Sequence, residues 1–184
     1  MDLFSANQLM WAAFIIGNSA PFFFIIFYKA QKISSELFTL YFLGVLVGLT
    51  WEIPFALAGK SFHLILIDWP IDLPLVRNIT YSFIDGLIFI VGILLAKVFL
   101  KNKNFLYKFD AKALSIMIIW GSISEFLVDL NGNGKLWLFI DNWYNPVFIT
   151  INGNGLTIIP QLIWFLAPIV YYFVILNYKG FEAE

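Results

Sequence analysis

Apolar residues run almost unbroken through five stretches of this chain, divided by short basic segments and by two longer aromatic connections. Each stretch is close to the roughly 20 residues that cross a bilayer core as a helix. The pattern predicts helices over about residues 7–28, 36–59, 79–100, 111–130 and 155–177. An all-α integral membrane fold is expected, a five-transmembrane-helix bundle forming a single membrane domain over 1–184.

The polar connections then suggest an orientation. "YKAQKISSE", "LKNKNFLYKFDAK" and the tail "NYKGFEAE" hold most of the lysines and fall on one side if the chain threads five times. By the positive-inside rule the N-terminus is expected out and the C-terminus in. Trp69, Trp137 and Trp143 on the other side suit an interfacial belt. The start, "MDLFSANQ", lacks a cationic signal-peptide region, so the first apolar segment is expected to remain as a helix.

An internal similarity appears at an offset of 73 residues. Gly48, Glu52, Gly59 and Asp68 align with Gly121, Glu125, Gly132 and Asp141, and "LILID" with "WLFID". Helices 2–3 and 4–5 therefore read as duplicated pairs crossing in the same direction, a parallel repeat.

Polar residues inside the spans carry the functional signal. Glu52 lies seven residues before the outer end of helix 2, roughly 10 Å deep at about 1.5 Å per residue. Asp85, Glu125 and Gln161 fall at similar depth on helices 3, 4 and 5, and Asn18 on helix 1 reaches nearly the same layer. A charge at mid-helix costs about 2.5–3.5 kcal/mol on insertion scales, so such residues need partners, a wet cavity or a proton. Tyr81 stands one turn before Asp85, and on helix 5 Asn154, Thr157, Gln161 and Trp164 share one face. Pro21, Pro54 and Pro160 are expected to loosen the backbone nearby. Asp129 reads as solvated near the interface, and His63 as an interfacial loop residue. Trp51, Trp120 and Trp164 are also explained by packing alone.

Composition narrows the chemistry. The chain is 61% apolar and 12% charged, with a net charge of −1, which argues against nucleic acid as a partner. With no cysteine and one histidine, thiol chemistry and the usual zinc ligand sets are not expected, nor is any cofactor. "DLNGNGKLWLFI" copies half of a calcium loop but has Ile140 where a bidentate glutamate is needed. "NIT" at Asn78 fits a glycosylation sequon.

Three stretches, "GLTWEIPFALAG", "NITYSFIDGLIF" and "ITINGNGLTIIP", resemble the emopamil-binding family, the EXPERA-domain proteins that include sterol Δ8–Δ7 isomerase. The resemblance covers most of helices 2 to 5. It maps Glu52 and Asp85 onto the family's acidic residues, and Asn154 and Pro160 onto its closing Asn and Pro. It departs at Gly48, where the isomerases carry a histidine, and at Thr157, where they carry a tryptophan. The second acid is Asp85 rather than a glutamate, one residue further from the asparagine. The "WE" pair of Trp51 and Glu52 also resembles membrane terpene cyclases of fungal meroterpenoid pathways, which have more helices.

The expected function is that of a membrane-embedded isomerase or cyclase acting on a sterol or isoprenoid lipid by protonation and carbocation chemistry. Glu52 would donate the proton, Asp85 would act as base or cation stabiliser, and Glu125 would tune both. Trp51, Tyr81, Asn154, Thr157, Gln161, Trp164 and Asn18 would bind the substrate. Two rivals stay open: a non-catalytic sterol or lipid binder, favoured by Gly48 and Thr157, and a small proton-coupled transporter. The partners expected are a hydrophobic small molecule or lipid and the membrane lipids, with a homodimer allowed. The location expected is the endoplasmic reticulum in a eukaryote or the cytoplasmic membrane in a prokaryote.

Overall fold

A computed structural model describes residues 4–100, 104–151 and 153–178. Lys101, Lys103 and Lys179, on which the orientation argument partly rests, lie outside the described residues. Five long helices are present: α1 (Ala6–Lys29), α2 (Ser35–Ala58), α3 (Pro74–Leu100), α4 (Ala111–Gly132) and α5 (Ile158–Asn177). All five are long and apolar enough to cross a membrane, the arrangement of a multi-pass membrane protein. Phe22, Leu46, Leu57, Val98 and Ile119 point outward, as side chains facing lipid do.

Local signals explain the boundaries. Ser5 and Gln8 form a capping box at α1, Ser34 accepts from Leu37 N at 3.1 Å at α2, and Asp110 accepts from Lys112 N and Ala113 N at α4. α3 begins at Pro74, five residues earlier than the apolar pattern indicates, because proline is pre-shaped for the first helical position. The polar pair Arg77 and Asn78, which reads as loop in the sequence, is therefore buried helix.

The two aromatic connections are not simple loops. β1 (His63–Ile65) pairs antiparallel with β2 (Trp137–Phe139), and β3 (Val147–Ile151) with β4 (Asn154–Thr157). Both ribbons lie at the end of the bundle where α2 and α4 finish and α3 and α5 begin. Trp69 and Trp137, expected at a membrane interface, are buried in one cluster with Phe62, Leu136 and Phe139, whereas Trp143 is 91% exposed. At the opposite end Lys97 of α3 pairs with Glu36 of α2 at 2.8 Å.

The helices are joined without a water-driven hydrophobic force, so close packing and hydrogen bonds decide their contacts. α2 and α3 meet at small residues: a Cβ on Gly44 would sit 3.1 Å from Gly86 Cα, and one on Gly86 would sit 2.8 Å from the Val45 side chain. Aromatic groups bridge other pairs, with Tyr171 Oη donating to Leu40 O at 2.8 Å and Trp120 Nε1 to Ile88 O at 2.9 Å. Stacked rings, Phe24 on Tyr41 and Phe89 on Tyr171, fill the space between.

Gly44→Val should force α2 from α3 and lower stability in detergent by about 1–3 kcal/mol. The lipid-facing Leu46→Ala should change it far less; thermal unfolding of the two variants checks this.

Candidate functional site

Near the ribbon end the bundle encloses a cavity of about 530 Å³. Glu52 from α2, Asp85 from α3 and Glu125 from α4 all line it, and each is more than nine-tenths buried. Trp51, Tyr81 and Trp164 line it too, with the Trp51 and Trp164 rings 5.8 Å apart and edge-on. Six of the residues expected from sequence thus come together.

The carboxyls differ in their surroundings. Asn78 Nδ2 donates to Glu52 Oε2 at 2.7 Å, within a fully buried pair. Because Asn78 is completely buried and holds Glu52, the sequon reading of "NIT" fails here. Asp85 Oδ2 is buried without a partner, and Glu125 makes no hydrogen bond among the described residues. The Asp85 carboxyl lies where a side chain at position 48 would go, since a Gly48 Cβ would come within 2.7 Å of Asp85 Oδ2. The glycine at position 48 thus makes room for the acid.

Four expected residues stand elsewhere. Asn154 and Thr157 belong to β4 rather than to helix 5, because the chain there is extended and paired with β3. α5 starts only at Ile158, and the Asn145 side chain accepts from Ile159 N at 2.9 Å there. Pro160 consequently sits in the first turn, where no intrahelical bond is lost, while Pro168 is the proline inside this helix. Gln161 donates to Asp129 Oδ2 at 2.9 Å, and Asn18 accepts from Thr80 Oγ1 at 3.3 Å; neither lines the cavity. Asp129 itself is 1% exposed and also accepts from Trp137 Nε1 at 3.4 Å, so it is a buried bridge from α4 to α5 and β2, not a solvated charge.

The ribbon contributes what the sequence did not reveal. His63 is buried, lines the cavity and stacks on Phe139 at 4.7 Å. Its only advance signal was its place in "HLILID", the segment that aligns with the second repeat. Burial first, and the Arg77 charge second, push the imidazole down from 6.5 to about 3. Among the described residues no three of His, Asp and Glu are grouped so as to hold a metal ion. Comparison with protein-family models, with curated proteins and with solved structures finds no match for this chain.

The depressed His63 value sets a pH dependence. The His63 contribution to stability should be full above about pH 6.5 and fall toward about pH 3, as the unfolded chain takes up a proton that the folded imidazole refuses. His63→Gln should remove on the order of 3 kcal/mol of the stability lost between pH 7 and pH 4. Unfolding curves of both proteins across that range provide the check.

Proposed function

We propose that this protein is a membrane-embedded isomerase or cyclase that moves a proton on a sterol or isoprenoid lipid. The observation that carries the reading is the convergence of three buried carboxyls from three helices on one largely apolar cavity. A carboxylic acid donates a proton to one alkene carbon, the π pair forming the new C–H bond and leaving a cation on its neighbour. A second carboxyl, as carboxylate, then removes a proton from an adjacent carbon, and the freed pair forms the displaced double bond. The aromatic faces of Trp51 and Trp164 stabilise the cation. An amide N–H stabilises negative charge, so the Asn78 bond favours Glu52 as proton acceptor and Asp85 as donor, the reverse of the order expected from sequence.

Kinship with the EXPERA-domain proteins, the orientation with the basic end inside, and a location in the endoplasmic reticulum or a cytoplasmic membrane belong to the same proposal. So does the duplication. Its support is the β1–β2 ladder: Leu64 opposes Leu138 and Ile65 opposes Trp137, so the offset of 73 residues maps one pair onto the other. Strands related by a two-fold axis pair in this way.

Purified protein incubated with olefinic sterols and isoprenoids in deuterated water should incorporate deuterium at carbon. Glu52→Gln and Asp85→Asn should each slow this by roughly 10²–10⁴-fold. Tight binding with no exchange on any substrate would point instead to a lipid binder, and proton flux in liposomes to a transporter.

A further inference from the structure

Beyond the three carboxyls, two polar atoms on the cavity wall are buried without a hydrogen-bond partner, His63 Nε2 and Tyr81 Oη. They share one neighbour. The rings of His63 and Tyr81 each meet the Trp137 indole edge-on, with centroids at 6.2 and 5.9 Å. His63 is 8% exposed, and apart from Glu52, Asp85, Glu125 and Asn131 the other side chains lining the cavity are aromatic or aliphatic. A buried polar group left unpaired costs about 1–3 kcal/mol. A ligand hydroxyl, with one donor and two acceptor positions, carries the complement that each of these atoms lacks. A phosphate or carboxylate head would meet three carboxyls and no lysine or arginine among the lining residues.

The cavity also has a mouth. Ile16 of α1 and Leu127 and Val128 of α4 line it, yet each is 40–51% exposed. α1 packs on α3 and α2, with no comparable packing against α4. These exposed lining residues flank the loosely packed gap between α1 and α4. Asp85 stands one helical turn beyond Tyr81, about 6 Å along α3 at 1.5 Å per residue.

Resting on the reading of this cavity as the substrate site, we propose that its ligand is a lipid alcohol that enters sideways from the bilayer between α1 and α4. Its hydroxyl is held by His63 and Tyr81, its chain trails through the mouth, and the reacting double bond lies roughly one helical turn from the hydroxyl, beside Asp85. His63 and Tyr81 are then the residues that select the head.

Equilibrium binding of tritiated geranylgeraniol to the full chain in phosphatidylcholine nanodiscs tests this, with the hydrocarbon lacking the hydroxyl and the monophosphate as competitors. The alcohol should bind saturably and both competitors roughly 100-fold more weakly. His63→Phe and Tyr81→Phe should each weaken the alcohol about tenfold and leave the hydrocarbon unchanged. Because the chain has no cysteine, Val128→Cys can be labelled alone with a bulky maleimide, which should slow association of the alcohol. No saturable binding, equal affinity for alcohol and hydrocarbon, equal loss of both ligands in both variants, or tighter binding of the phosphate would overturn the proposal. Head selection without deuterium exchange would uphold it while removing the proposed reaction; exchange without head selection would do the opposite.

Discussion

Across the contact between α2 and α3, the Asn78 amide donates to the Glu52 carboxyl at 2.7 Å, with both side chains out of reach of bulk solvent. A carboxyl in a membrane helix is tolerated only when something answers it. Here the answer requires two helices to approach closely, and Gly44, Gly48 and Gly86 permit that approach. Gly48 has a second consequence, because the space above it receives the Asp85 carboxyl. One close contact thus sets two of the three acids at the cavity, and packing of α3 on α4 brings the third, Glu125.

The ribbons complete what the helices begin. β1 and β2 lie over the cavity end and bring His63, Trp137 and Phe139 into its wall. Asp129 ties this cover to the bundle through Trp137 and Gln161. On the proposed reading, these buried acids and aromatic faces form an environment in which a proton meets an apolar substrate away from water.

Much of this was legible in the sequence because helices are regular. Apolar runs located all five spans, and counting at a constant rise put Glu52, Asp85 and Glu125 in one layer. Counting failed where regularity ended. Asn154 and Thr157 were placed on a helix that starts after them, and Arg77 and Asn78 in a loop that a proline had already turned into helix. The ribbon was invisible because its strands are three residues long and their partners lie more than seventy residues away. His63, Trp69, Trp137 and Asp129 look exposed until that pairing covers them.

The most direct measurement is an experimental structure of the protein with a lipid alcohol bound. The account predicts the ligand inside the cavity beside Trp51 and Trp164, with an alkene carbon about 3–3.5 Å from a carboxyl oxygen of Glu52 or Asp85. A ligand seated only on the outer faces of the helices, with Glu52 and Asp85 apart from it, would contradict the account.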